Sequence, residues 1–188
     1  MTSNLSRMNT PIFWAEGHPG HLSAEEWKVE IGGLVEQPLT LTYAEILALP
    51  KSVADARLTS VSGWTVRGQW GGVRLSDLLP LARSRPEAAH VQFISHRGIY
   101  TTCIPLEVAL RERTLLAYEF DGEPLEEDYG GPVRIVCPYL WGYKSAKSVV
   151  GIRLVERSIP CYWEIRGYPD DCQIKARRLL YVKSVRER

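Results

Sequence analysis

Apolar and polar residues alternate over Trp27-Lys28-Val29-Glu30-Ile31, the two-residue period of a strand with one buried face. Gly32-Gly33 ends or bulges that strand, and Leu39-Thr40-Leu41 is a second short extended piece. Thr42 with Glu45 at the third helical position forms a capping-box pattern, predicting a helix over Tyr43 to Leu49 that Pro50 stops. Ala56 to Gly63 reads as a strand running into a turn, and Trp64 to Trp70 as a hairpin or loop. Gly71-Gly72 marks a further turn, and Val73-Arg74-Leu75 is short and extended. Ser76 is placed to cap a helix carrying Leu78, Leu79 and Leu81. Ala89 to Ser95 is a strand, His96-Arg97-Gly98 turns it, and Ile99 to Ile104 pairs back. Pro105 opens a helix over Leu106 to Arg111. Strands over Leu115 to Phe120, Val133 to Cys137 and Val149 to Val155 complete the pattern, with a tight turn at Asp121-Gly122 and a polar loop from Glu126 to Gly131.

Strands dominate, and the short helices do not alternate regularly with them. This predicts an α+β fold with mixed or antiparallel sheets, not a doubly wound parallel sheet. A chain of 188 residues suffices for one domain with its own core and no disulfide staples. The expected organisation is an irregular N-terminal arm (1–25), one domain (26–160) and a polar, basic extension (161–188) that docks on the domain or serves in assembly.

The net charge of +1 gives no global attraction to nucleic acid or anionic membrane, so any anion site must be local. No apolar run approaches the roughly 20 residues of a membrane span. The segment from Met1 to Thr10 lacks the apolar stretch of a secretory signal, so a cytoplasmic location is expected unless a leader has been removed. Cys103, Cys137, Cys161 and Cys172 form no C-x-x-C pair and do not cluster with His, which argues against structural zinc. Cys103 and Cys137 read as reduced core thiols, and pairing of Cys161 with Cys172 is the lesser reading in a cytosolic protein.

The densest chemistry lies between the last two strands, from Cys137 to Gly151. Tyr139, Trp141, Gly142, Tyr143, Lys144, Ser145, Lys147 and Ser148 share that connection. Two lysines, two small hydroxyls and a glycine suit a loop whose donors converge on a phosphate or another anion. The competing reading is a solvated Lys/Ser turn. No nucleophile elbow and no Gly-rich phosphate-loop consensus is present. The acidic runs Glu126-Glu127-Asp128 and Asp170-Asp171 read as solvated faces.

Four segments in this order resemble the molybdopterin-binding domain of the sulfite oxidase family, over about residues 25 to 165. They are Val29 to Val35 with Pro38 to Leu41; Val61-Ser62-Gly63-Trp64 with Trp70 to Val73 and Leu78-Leu79; Leu116 to Glu119 with Asp121 to Leu125 and Gly130 to Arg134; and Gly142 to Lys147. The likeness is strongest to short bacterial members and to the catalytic subunit of the periplasmic methionine-sulfoxide reductase. The resemblance implies a mononuclear molybdenum held by the dithiolene of a phosphate-bearing pterin, in its non-dinucleotide form. It implies cofactor contacts from Arg134, Gly142, Lys144, Ser145 and Lys147, consistent with the planar fork of Arg and the point charge of Lys. Ser95 and His96 stand where family members touch the pterin, although His96 reads equally as a solvated turn residue. Arg97 either lines the anion entry or is exposed, and Arg97 and Tyr143 are the candidates for substrate contact. Trp64, Trp70 and Trp141 flank the implied site.

One position departs from the family pattern. Ser60, in Thr59-Ser60-Val61-Ser62-Gly63-Trp64, stands where the resemblance implies a cysteine thiolate on molybdenum. A hydroxyl there is a harder ligand than a thiolate. Three explanations stand: a natural serine variant, an engineered change, or loss of redox chemistry with ligand binding retained. The expected function is two-electron oxygen-atom transfer at molybdenum on a small oxo-anion or S/N-oxide, with a separate electron-transfer partner. The alternative is a pterin- or anion-binding module without turnover.

Overall fold

The computed structural model describes residues 10–170, 172 and 174. The fold is α+β, with short helices between two sheets. Strand β1 (Lys28–Gly33) is the first long alternating segment, and it buries Val29 and Ile31. It pairs antiparallel with β2 (Leu39–Thr42) and parallel with the last strand, β10 (Val149–Val155). β10 in turn pairs with β5 (His90–Ser95), and β5 with β6 (Thr101–Pro105), giving the order β2-β1-β10-β5-β6.

The second sheet runs β3 (Ser52–Thr59), β4 (Thr65–Arg74), β7 (Leu115–Phe120) and β8 (Glu123–Pro124). β9 (Arg134–Val136) shares the far edge of β7 with β8. The β7–β8 turn places Asp121 and Gly122 at φ of 51° and 82°, as an Asp-Gly hairpin requires.

Helix α1 (Tyr43–Ala48) starts as the sequence predicts. Thr42 Oγ1 accepts from the Glu45 N–H, and the Glu45 carboxylate accepts from the Thr42 N–H at 2.8 Å. This capping box satisfies donors that the first turn otherwise leaves orphaned. Ser76 does not cap. The Leu75 N–H bonds Thr114 O at 3.1 Å, and the chain enters α2 (Leu75–Leu78) two residues earlier, with Arg74 at the cap, and continues as a 3-10 turn over Leu79–Ala82. Pro105 directly precedes α3 (Leu106–Ala109).

The largest difference from the pattern is β4. A ten-residue strand replaces the expected hairpin, turn and short segment. A Cβ on Gly72 would lie 2.3 Å from Leu116 O, so that glycine admits the neighbouring strand rather than turning the chain. The ladder shifts register between Gly71 and Gly72, which marks a bulge.

One core lies against the first sheet and includes Val29, Ile31, Phe93, Ile104, Ile152 and Leu154. A second lies on the other sheet, where Trp70 and Phe120 stack at 4.7 Å between centroids. All four cysteines are free and buried, and burial pushes the Cys137 and Cys161 thiols up to about 11.

Candidate functional site

A cavity of about 540 Å³ opens where the two cores meet. Its walls come from the end of β3 and the following turn (Leu58, Ser60, Val61, Ser62), from Tyr129 and Arg134, and from Gly142, Tyr143, Ser145 and Lys147. Close approach of two backbones builds it: a Cβ on Gly142 would lie 3.2 Å from Thr59 O. Glycine there seats the Gly142–Lys147 segment against the turn that presents Ser60.

Arg134 is buried inside this wall. Its guanidinium donates to Tyr129 O at 2.6 Å and Ser145 O at 3.3 Å, and it has no carboxylate partner among the described residues. Burial lowers it to about 10. Lys147 Nζ donates to Phe13 O at 3.1 Å and Asp128 O at 3.0 Å, and lies 4.6 Å from the centroid of the Trp14 ring. Burial, reinforced by the Arg134 charge, holds its amine down to about 7. Ser145 Oγ accepts from the Cys137 N–H at 3.1 Å, tying this loop to the preceding strand.

Lys144 goes elsewhere. Its Nζ lies 2.6 Å from Glu164 Oε1, 3.2 Å from Asp170 Oδ1 and 2.8 Å from Cys103 O. Burial lowers its pKa, but the Glu164 hydrogen bond, the Cys172 sulfur and Asp170 outweigh that, and the net shift is upward. Lys144 does not line the cavity. Instead it pins the segment that brings Trp163 and Tyr168 to the wall. The resemblance implied a cofactor contact for Lys144; in this structure its contacts are to Glu164, Asp170 and Cys103 and not to the cavity.

Ser60 Oγ lies 2.8 Å from Ser62 Oγ and accepts from the Ser62 N–H at 3.2 Å. Its hydroxyl faces the cavity from a small hydrogen-bonded turn. No cysteine lines the cavity, and no three His, Cys, Asp or Glu side chains gather into a metal-holding group among the described residues. A metal held here would therefore need ligands of its own besides Ser60.

Ser95 lines the cavity and donates to Glu16. His96 lies behind it, with Nδ1 3.2 Å from Glu16 Oε1 but not aligned for a hydrogen bond. Burial lowers its pKa despite Glu16. Arg97 does not line the cavity; it is exposed, the second of its two expected placements. It donates to Glu16 O at 3.1 Å and His18 O at 3.4 Å, clamping the N-terminal arm. The Tyr143 hydroxyl donates to Pro169 O at 2.8 Å while the side chain lines the cavity. Trp64 lines the cavity. Trp70 sits under Arg134 at 5.4 Å, and Tyr139 packs beneath Arg111 and Arg113 instead.

The sequence reading missed the arm. Thr10 to Glu16 form one side of the cavity, and Glu16 is the sole carboxylate lining it among the described residues, with Tyr100 N donating to it at 2.8 Å. The signal was available: Ile12-Phe13-Trp14 is an apolar run in a segment with no strand or helix pattern. Tyr100, Tyr129, Trp163 and Tyr168 were also missed, because each reads as core from the chain alone.

One buried and one half-buried cation, neither ion-paired to a carboxylate among the described residues, favour an anionic ligand. The buried Trp14 Nε1 and Tyr129 hydroxyl, both on cavity-lining residues, have no hydrogen-bond partner among the described residues, so polar groups of a ligand have donors to meet. The residues present thus fit a pterin that carries a phosphate.

Comparison with known proteins agrees with this chemistry. Residues 15–163 match the family described as oxidoreductase molybdopterin binding domain. An uncharacterized oxidoreductase, YuiH of Bacillus subtilis, is 34% identical over 159 residues, covering 84% of this chain and 80% of that protein. The protein-methionine-sulfoxide reductase catalytic subunit MsrP of Ralstonia nicotianae is 30% identical, covering 79% of this chain and 49% of its own. The chain thus spans about half of the MsrP relative. The sulfane dehydrogenase SoxCD of Paracoccus pantotrophus superposes with a TM-score of 0.69 at 23% identity, over 74% of this chain and 40% of that one, a likeness of fold.

Proposed function

The chain belongs to the oxidoreductase molybdopterin-binding domain family, and from that premise we propose that it catalyses two-electron oxygen-atom transfer on an S-oxide carried by an apolar group. The observation that carries the reading is the pair of buried Arg134 and half-buried Lys147 in one cavity wall, neither in an ion pair with a carboxylate among the described residues. They would hold the phosphate end of the pterin, with Ser145 beside them. Ser60 would face the metal. Bound there, the molybdenum–pterin group supplies the two-electron redox couple.

The chain's own residues do the rest. Arg134 and Lys147 orient the ligand by charge. The Ser62 N–H donates to Ser60 Oγ and would favour that oxygen as an anionic ligand. Trp64, Trp163 and Tyr168 exclude water from the inner wall. The rim suits an apolar substrate arm: Phe13 is 57% exposed and Val61 45% exposed, and among the described residues no cation lines the cavity other than Arg134 and Lys147. Reduction of a sulfoxide takes two electrons and two protons and releases water, and a separate electron-transfer partner would supply the electrons. The name of the MsrP relative points to methionine sulfoxide as the first substrate to try.

The test is metal and pterin content after expression with molybdate, for the parent and for Ser60→Cys. Molybdenum and pterin in both, with methionine-sulfoxide reduction by a chemical electron donor, supports the reading. Pterin without molybdenum in the parent, restored by Ser60→Cys, favours the binding module, and Ser60 is the observation behind that alternative. Absence of pterin from both variants overturns the cofactor assignment.

A further inference from the structure

Strand β3 is an eight-residue edge. Among the described residues it hydrogen-bonds to β4 on one side, and no strand pairs with it on the other. An unpaired edge is a template for another strand, and proteins usually guard it with charge, proline or a bulge. β3 carries no proline and its ladder to β4 runs without a bulge from Ser52 to Thr59. Its charges are two, Asp55 and Arg57, side by side on the exposed face.

The intramolecular pairing of these charges is incomplete. Asp55 takes a two-point contact from Arg67 on β4, at 3.0 and 2.8 Å. Arg57 lies directly opposite Arg67 in the ladder and has no carboxylate within ion-pair distance among the described residues. Like charges directly opposite across strands are unfavourable. β3 therefore presents an unpaired cation beside an anion whose oxygens each keep a further lone pair.

We propose that β3 pairs antiparallel with β3 of a second copy of this chain, about a two-fold axis at Ala56. That register sets Asp55 opposite Arg57 of the partner copy and Arg57 opposite its Asp55. On the other face it sets Ala54 opposite Leu58 and Ala56 opposite itself, extending the core between the sheets.

Charge selects this register. Centring on Asp55 or on Arg57 sets like charges together, and centring on Ala54 sets Arg57 against Lys51. A one-residue slip turns the buried face outward. The same strand carries Leu58 next to its last residue and leads to Ser60, both on the cavity wall. Pairing would thus stiffen the strand that presents Ser60, although the dimer does not depend on what the cavity holds. Edge pairing over the seven residues 53–59 lies at the small end of interfaces, so association is concentration-dependent.

The experiment is sedimentation velocity over a concentration series on the parent, on Arg57→Asp, on Asp55→Arg and on an equimolar mixture of the two variants. Arg57→Asp places an anion opposite Arg67 within the chain, so its thermal midpoint should hold or rise while its dimer Kd rises roughly tenfold or more. Asp55→Arg should dissociate likewise. In the mixture both cross-copy pairs become attractive, and dimers between the two variants should return. A parent that stays monomeric at high concentration overturns the proposal. So does an Arg57→Asp variant that dimerises as the parent does, or a mixture that stays monomeric while both variants keep native circular dichroism.

Discussion

Lys144 and Lys147 leave the same short turn and meet opposite electrostatic worlds. Lys144 enters a pocket of carboxylates, Glu164 and Asp170, and its charge is held above the ordinary lysine range. Lys147 hydrogen-bonds carbonyls beside an indole face and a nearby guanidinium; burial and that guanidinium outweigh the more distant pull of the Asp128 carboxylate, and its amine is held down to about 7. A buried cation with its own carboxylate is committed to the fold. A buried cation without one is destabilising until a ligand brings the anion. The contrast gives a criterion for binding residues that residue type and spacing cannot supply.

The largest expected effect breaks the structural half of that contrast. Lys144→Met leaves Glu164 buried without its cation and should cost about 3–5 kcal/mol in urea unfolding. Adding Glu164→Gln should recover most of the loss, since the double variant buries no unpaired charge. If Lys144→Met instead unfolds at parent stability, the ion pair contributes nothing and the structural role fails.

Arg134→Met tests the ligand half and should show the inverse profile. It removes a desolvated charge that has no carboxylate, so urea stability should stay within about 1 kcal/mol of the parent. Pterin retained per protein should fall roughly tenfold to a hundredfold, the weight of charge-assisted hydrogen bonds worth about 1.5–3 kcal/mol. A large stability loss with pterin unchanged would move Arg134 to the side of Lys144.

This division explains what was legible in the chain. Strand period fixed β1, β5, β7 and β10, and the Thr42/Glu45 pair fixed a helix start, because those signals are local. β4 was not legible: Gly71 and Gly72 read as turn residues, and only the approach of Leu116 explains them. In the site, Arg134, Ser145, Lys147 and Ser60 line one cavity, as do Gly142, Tyr143 and Ser95. Lys144, His96 and Arg97 do not, because each turns towards a carboxylate or carbonyl brought from a distant segment. Glu16 and Glu164 decide those directions, and neither lies near its partner in sequence. The arm was overlooked because a chain without period gives no hint of what it packs against.

The smallest expected effect is also the sharpest test of the Lys147 environment. Its amine titrates at about 7 in the folded protein, well below an ordinary lysine. Between that value and the unfolded lysine range, the unfolded chain binds the extra proton. Stability of the ligand-free protein should therefore rise with pH across that window. Anion binding runs the other way, because it needs the protonated amine. Sulfate keeps its charge throughout this range, so its affinity should fall by up to about tenfold per pH unit above 7 as Lys147 loses its proton. Lys147→Arg, which stays charged, should bind sulfate with no such slope, and Lys147→Met should bind weakly at every pH. Calorimetric titration of sulfate from pH 6 to 9 reads all three. A parent slope matching that of Lys147→Arg would show that Lys147 carries an ordinary charged amine. The contrast with Lys144 would then rest on geometry and not on charge.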